Sequence, residues 1–165
     1  MMTRVAKILL LGGVAVYYAL VVFNNLTDFN TNYAFVQHVL QMDSTFPGNH
    51  EMWRAISAPW VHTVFYLGII AWEIATTILL VWGAMRLVLF RDASAGDFDR
   101  AKSMAVLGLT LSLLMWLVAF LSVGGEWFLM WESRVWNGEE AAFSRFIAVG
   151  MVLLFVVQPE RETQP

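Results

Sequence analysis

The chain contains no cysteine, which excludes disulfide bonds, thiolate metal sites and thiol catalysis. Charge is also scarce, because Asp, Glu, Lys and Arg make up 14% of the 165 residues, against 59% hydrophobic residues. So few charges form no basic surface suited to nucleic acid, and we expect no nucleic-acid partner. A mean hydropathy of +0.62 is too high for a soluble domain of this size and indicates that the solvent is a lipid bilayer.

The sequence instead offers four long hydrophobic runs. They cover about residues 5–23, 61–85, 104–123 and 141–157. Each approaches the ~20 apolar residues that a membrane-spanning helix needs, and the short fourth run is accepted because Arg145 can reach toward the interface. Arg4 and Lys7 precede the first run as in a signal peptide, but no Ala-x-Ala cleavage site follows it, so we treat it as retained. The predicted fold is an all-α, integral membrane four-helix bundle.

Basic and aromatic residues are distributed unequally between the two sides of the predicted membrane. Seven of the ten Lys and Arg residues share one side: Arg4, Lys7, Arg86, Arg91, Arg100, Lys102 and Arg161. That side is predicted to be cytoplasmic and to hold both termini. Five of the eight Trp residues lie near the other helix ends: Trp53, Trp60, Trp127, Trp131 and Trp136. They are typical of an aromatic belt at the outer interface.

The stretch after the first run has helical periodicity but is too short to cross. Residues 31–43, with Asn30 as the expected N-cap, place apolar side chains on one face and Gln37, His38 and Gln41 on the other. We predict an extracytoplasmic amphipathic cap helix with its apolar side inward. Residues 24–56 and 126–137 together should form an ordered outer cap. Its candidate site residues are Asn25, Asp28, Gln37, His38, Asp43, Trp53, Arg54, Glu126, Trp127, Trp131 and Trp136.

Glu73 lies in the middle of the second hydrophobic run. Insertion scales assign a central Asp or Lys a cost of about 2.5–3.5 kcal/mol, so Glu73 needs a partner or a proton. A polar stripe surrounds it at helical spacing: His62, Tyr66, Thr76 and Thr77. This stripe is predicted to face the other helices.

Arg145 is the candidate partner of Glu73. Counted from Arg86 and Pro159, Glu73 is 13 and Arg145 14 residues from the same edge, which places both at a depth of about 20 Å. One hypothesis is an intramembrane ion pair. In the alternative, Arg145 reaches outward to acids such as Glu126, Glu139 or Glu140, and a protonated Glu73 bonds to a Thr or Tyr.

Other chemistry finds little support. The three histidines, His38, His50 and His62, show no ligand spacing, so we expect no metal site. A membrane oxidoreductase that holds haem or quinone is a further class, but it would need axial histidines or a polar pocket that the sequence alone does not assemble. We expect no cofactor and leave that class open. No phosphate loop, nucleophile elbow or catalytic pair of carboxylates occurs, which favours a protein that is not an enzyme. Gly124 and Gly125 are predicted to bend or end the third helix.

Several blocks carry a family resemblance. NLTDF, NYAFVQHVLQMD, TFPGN, MWRAI, GGEWFLMWES and WNGEEAAF resemble signature blocks of a bacterial family of predicted small integral membrane proteins of unknown function. The resemblance covers nearly the whole chain and implies four spans in a bacterial protein. Since the sequence shows no internal repeat, low-complexity tract or second domain, we predict one transmembrane domain over 1–165, in the bacterial inner (plasma) membrane. The resemblance implies no activity, ligand or catalytic residue.

Two functional hypotheses follow. The first is a non-catalytic membrane protein that acts through its outer surface, as a binding module or as an accessory subunit of a larger complex, with homo-oligomerisation also open. The alternative is a small transporter or proton-coupled carrier that uses Glu73 and Arg145.

Overall fold

A computed structural model describes residues 2–160, which form helices, turns and loops with no β-strand in that range. The helices are α1 (Met2–Thr27), α2 (Phe29–Gln41), α3 (Pro59–Leu89), α4 (Ala95–Ala101), α5 (Ser103–Leu114), a π-helix (Met115–Trp127) and α6 (Glu139–Val156). Short 3-10 turns lie at Met52–Arg54 and Met130–Glu132. The predicted all-α class is confirmed. Arg161, which was counted on the basic side, lies outside the described residues.

Hydrogen bonds bring both ends of the described chain together. Lys7 Nζ donates to the Gln158 carbonyl and to Glu160 Oε1, each at 2.6 Å. Arg4 Nη1 donates to the Arg91 carbonyl at 2.7 Å, in the connection between α3 and α4. We call this the terminal end of the bundle. The opposite end, where α1 meets α2 and the π-helix stops, is called the capped end.

Three helical stretches are long and apolar enough to cross a membrane: Met2–Thr27, Pro59–Leu89 and Ala95–Trp127. The last of these comprises α4, α5 and the π-helix. Helix α6 is not among them, because its 18 residues include Glu139, Glu140 and Arg145. The fourth crossing therefore stays a prediction.

The cap helix begins two residues earlier than predicted. Only Asp28 separates α1 from α2, so Asp28 and not Asn30 occupies the N-cap position, and its side chain makes no capping hydrogen bond. On the apolar side of α2, Val39 and Leu40 are buried, and Phe35 and Val36 are half-buried. This side contributes to a cluster of Val39, Leu40, Met42, Phe128 and Met130. Helix α2 therefore packs against the bundle and against the segment that follows the π-helix.

The third hydrophobic run departs from the expected geometry. Helical structure continues through Gly124 and Gly125 to Trp127, so of the two predicted outcomes, a bend or an end at these glycines, the end is wrong. From Met115 onward the turns widen to a π-helix, which closes with a bond from the Phe128 amide to the Val123 carbonyl. Both glycines are buried, and a side chain at Gly125 would collide with the Glu139 carboxylate. The small size of Gly125 lets α6 approach.

The half of the bundle near the terminal end is closely packed. Leu80 and Leu87 of α3 have no exposed surface, and neither has Leu109 of α5. At Gly83 a Cβ atom would lie 2.6 Å from the Ala105 Cα, so the backbones of α3 and α5 touch there. Only glycine allows this contact.

Charged residues close the terminal end. The Lys7 and Lys102 residues are only 1% and 4% exposed. Lys102 Nζ lies 2.6 Å from Asp99 Oδ1 and donates to the Gln158 carbonyl at 2.7 Å. Burial disfavours the Glu160 carboxylate, but the hydrogen bond from Lys7 and the neighbouring positive charges outweigh burial and lower the pKa of Glu160. From the sequence, these lysines indicated only which side of the membrane they lie on. Their burial and their ion pairs were not predicted.

Candidate functional site

Glu73 is held by the corner between α1 and α2. The Asn25 side-chain amide donates to Glu73 Oε2 at 2.6 Å, and the two residues are 5% and 4% exposed. Asn25 Oδ1 in turn accepts from the Asn32 amide at 2.6 Å and from the Tyr66 hydroxyl at 3.2 Å. A chain of hydrogen bonds therefore runs from the surface residue Asn32 to the buried carboxylate.

Arg145 binds neither Glu73 nor the acids near the start of α6. Its Nε donates to the Tyr17 hydroxyl at 2.7 Å and its Nη1 to the Ala141 carbonyl at 2.8 Å. Its guanidinium carbon lies 5.5 Å from the centre of a Trp116 ring. The direct ion pair expected in one hypothesis is absent among the described residues, and the outward reach expected in the other is replaced by the bond to α1. The partner of Arg145 is the Tyr17 hydroxyl of α1 and not an acid.

Glu73 and Arg145 nevertheless face the same cavity, which has a volume of about 310 Å³. Helices α1, α2, α3 and α6 and the π-helix all contribute to its lining. The exposed lining residues are Asn24, Asn32 and Ala141, so the cavity opens at the capped end, between α1 and the start of α6. We call it the polar cavity.

Both charged groups keep unused hydrogen-bonding atoms. Among the described residues, Oε1 of Glu73 accepts no hydrogen bond and Nη2 of Arg145 donates none. Neither of these two atoms is fully enclosed by protein, so both have accessible surface. An acid and a base therefore offer free acceptor and donor positions to one space.

The polar stripe of α3 faces the bundle interior. His62, Tyr66 and Thr76 are buried, and Thr77 is half-buried with its hydroxyl bonded to the Glu73 carbonyl at 2.8 Å. His62 Nε2 lies 2.7 Å from the Ile56 carbonyl and ties the start of α3 to the preceding segment. Of these four residues only Tyr66 lines the polar cavity.

Most of the predicted outer-cap residues lie away from the cavity and pack with one another. Arg54 covers rings of Trp53 and Trp127 at 5.3 and 4.9 Å. His38 stacks on Trp136 at 4.5 Å and bonds Asp43 at 2.6 Å.

The remaining cap residues take no part in the cavity lining, with one exception. Trp131 meets the Phe46 ring edge to face, Asp28 and Glu126 are exposed, and Gln37 is half-buried. Of the predicted cap residues, only Asn25 lines the polar cavity.

Among the cavity residues that sequence reasoning did not single out, three contact Asn25 or Arg145: Tyr17, Asn32 and Trp116. A helical spacing could have indicated the first, because Tyr17, Val21 and Asn24 follow each other at intervals of four and three on one face of α1. Trp116 carried a weaker signal as a tryptophan far from either end of its hydrophobic run. Asn32 reaches the site only because α1 and α2 meet at a sharp corner.

The described part of the chain thus defines a helical membrane protein with a polar cavity inside its bundle. The chain belongs to the family described as "Predicted small integral membrane protein (DUF2165)", which it matches over residues 3–159. The resemblance seen in the sequence blocks is thereby confirmed. No curated protein and no solved structure matches the chain.

Proposed function

We propose that the protein is a non-catalytic membrane binding module whose ligand is a small zwitterion held in the polar cavity. The observation that carries this proposal is that Glu73 and Arg145 share one cavity while neither neutralises the other. A ligand with a positive group for Glu73 and an anionic group for Arg145 would supply both missing counter-charges. Arginine favours carboxylate and phosphate groups, because its planar donors match their oxygen atoms.

The composition of the lining supports binding over catalysis. Glu73 is the one carboxylate among the lining residues, and none of them is His, Ser or Thr. The hydroxyls of Tyr17 and Tyr66 are engaged with Arg145 and Asn25, so neither is hydrogen-bonded to Glu73 as an acid–base pair or an activated nucleophile would be. The proposal accordingly includes no resident cofactor.

The packing below the cavity supports binding over transport. Beyond Glu73, the buried face of α3 continues with Thr76, Leu80, Gly83 and Leu87. The two leucines have no exposed surface, and Gly83 lies against the α5 backbone. A solute or proton that entered at the capped end would meet a dry, close-packed core on this route.

The proposal also includes four crossings, with both termini on the cytoplasmic side of a bacterial inner membrane. Helix α6 starts at the capped end and leads to Gln158 at the terminal end, which supports a fourth crossing despite its charges. Cysteine scanning suits this Cys-free chain. In intact cells an impermeant thiol reagent should label Asn137→Cys and spare Ser94→Cys, and the reverse pattern would reject the orientation.

The binding proposal is tested with a short zwitterion and its two halves. In nonionic micelles, glycerophosphoethanolamine should raise the thermal unfolding temperature more than glycerol phosphate or ethanolamine does at equal concentration. Glu73→Gln should abolish the ethanolamine effect and Arg145→Gln the glycerol phosphate effect. The exposed residues Glu126 and Arg134 give matched controls, Glu126→Gln and Arg134→Gln, which should bind as the parent does.

Three results would overturn or redirect this proposal. Equal effects of the zwitterion on the parent and on both charge variants would reject the site. A stoichiometric protein partner that occupies the capped end in mild detergent would favour the accessory-subunit hypothesis instead. Solute or proton flux in liposomes, lost in Glu73→Gln while the fold survives, would favour a carrier.

A further inference from the structure

A second cavity lies beside the polar one and is almost entirely apolar. Its volume is about 420 Å³, and it lies between α3 and the π-helix beneath α2. Side chains such as Val39, Leu40, Trp72 and Val123 line it. No Asp, Glu, Lys, Arg, Asn or Gln side chain is among its lining residues. We call it the apolar cavity.

The two cavities share one wall. Phe35, Val36, Ile69 and Phe120 line both of them, so the partition is a single layer of apolar side chains. All four are only half-buried although they lie between helices, because open space flanks them on two sides. The Phe35 and Phe120 ring centres are 6.5 Å apart, and none of the four wall side chains carries a hydrogen-bonding group. A ligand that occupied both spaces would have to displace only this layer.

The apolar cavity opens on its far side toward the surface that lipid would cover. Val64, Phe65 and Gly68 of α3 and Val118 of the π-helix line it and are exposed. At Gly68 a Cβ atom would meet no other atom within 4 Å, so the space there is empty. A hydrocarbon chain in the cavity would lose no contact with apolar surroundings when it left the bilayer.

From this arrangement we infer that the ligand is a single-chain zwitterionic amphiphile, with its headgroup between Glu73 and Arg145 and its hydrocarbon chain in the apolar cavity. The inference rests on the proposed function and specifies its ligand class. Charge complementarity fixes the headgroup, since one free acceptor and one free donor face the polar cavity. Continuity across one layer of side chains fixes the path of the chain. Each volume falls in the range of about 300–1,000 Å³ that is typical of ligand sites.

The test compares amphiphiles that differ in one part at a time. Protein in maltoside micelles is titrated with palmitoyl lysophosphatidylethanolamine, and affinity is read from native mass spectrometry and from thermal shift. Glycerophosphoethanolamine supplies the headgroup without a chain, and monopalmitoylglycerol supplies the chain without charges. The complete amphiphile should bind at 1:1 stoichiometry and on the order of tenfold or more tighter than either fragment.

Variants separate the two cavities. Gly68→Leu fills the apolar cavity from an open position, and should weaken the amphiphile about tenfold while glycerophosphoethanolamine binds unchanged. Arg145→Gln should weaken both compounds. Gly12→Leu is the matched control, because Gly12 also has open space around it but lines neither cavity. Unliganded unfolding temperatures close to that of the parent show that the variants fold.

The outcomes distinguish the two proposals. If the chained and chainless compounds bind equally, or Gly68→Leu weakens neither, the amphiphile inference is overturned and the zwitterion site stands. If monopalmitoylglycerol binds as tightly as the zwitterion, the charges do not select the ligand and both proposals fail. If palmitoyl lysophosphatidylglycerol, which carries no ammonium group, binds equally well, the assignment of a zwitterion is wrong.

Discussion

The terminal end and the polar cavity both bury charged groups, but the charges are paired at the terminal end and separated in the cavity. At the terminal end Lys7 and Glu160 touch at 2.6 Å, and the carboxylate lies between positive groups. In the cavity Glu73 bonds a neutral amide, Arg145 bonds a tyrosine hydroxyl, and both keep atoms free. A buried charge is costly unless it is paired. The chain can pair its charges directly, so their separation in the cavity supports the proposal that a ligand supplies the counter-charges.

The same contrast appears in the packing. Near the terminal end a glycine at position 83 lets two backbones touch. Near the capped end Gly68 faces empty space. The half near the terminal end is therefore closely packed, and the half near the capped end retains empty space between its helices.

The largest effect is expected from breaking the charge cluster at the terminal end. Glu160→Gln leaves Lys7 and Lys102 buried without their shared carboxylate. We expect a loss toward the lower end of about 3–5 kcal/mol in unfolding free energy, because Asp99 and a backbone carbonyl remain as partners. Reversible denaturant unfolding in micelles measures it. The exposed Glu126→Gln is the control, and a loss no larger than that of the control would contradict the role assigned to the cluster.

A smaller effect is expected from adding one methyl group to each half. Gly83→Ala forces the new Cβ against the Ala105 backbone and should cost about 1–3 kcal/mol. Gly68→Ala meets no atom, and alanine favours the helix, so a gain of up to about 1 kcal/mol is expected. Parallel unfolding curves in the same detergent decide the matter. Equal losses at both positions would show that the two halves do not differ in packing.

A third test lowers the pH and measures the stability that Glu160 contributes. The pKa of Glu160 is lower in the folded state than its usual value of about 4.3, so the unfolded state binds more protons as pH falls. The stability that Glu160 contributes is present above that value and is lost as pH drops through the folded pKa. The groups facing it are Arg4 and Lys7 of α1 together with Lys102 and Asp99.

Unfolding of the parent and of Glu160→Gln is compared at pH 6 and at pH 3.5. The difference in stability between the two proteins should shrink at the lower pH, by less than the full effect of the substitution. A difference that stays constant would mean that Glu160 has no lowered pKa in the folded protein.

The sequence predicted which residues would be unusual better than it predicted their partners. An acid in a hydrophobic run must face inward because lipid would not solvate it, and Glu73 does so. The shared depth of Glu73 and Arg145 followed from counting residues along straight helices. Their contacts could not be counted in this way, because Arg145 bonds Tyr17 of α1, and Asn32 reaches Asn25 only through the corner at Asp28.

The π-helix shows a second limit of the sequence. Periodicity of hydrophobic residues does not distinguish wide turns from α-helical turns in a run as uniform as 104–123. The run also does not reveal its tertiary contacts, such as the approach of Glu139 to Gly125. Phe120, which separates the two cavities, therefore had no signature in the sequence.

The smallest effect is expected for a double-mutant cycle on Glu73 and Arg145. In Glu73→Gln the new side chain can still accept from Asn25, and Arg145→Gln leaves Glu73 with its amide partner. Because the two side chains share no contact, their coupling energy should stay within about 0.5 kcal/mol in the unliganded protein. A parallel cycle on Lys7 and Glu160, which touch, should give about 0.5–3 kcal/mol. Coupling of similar size in both cycles would show that the cavity charges already neutralise each other, and the need for a zwitterionic ligand would disappear. If coupling instead appears in the cavity only after glycerophosphoethanolamine is added, the ligand itself connects the two charges.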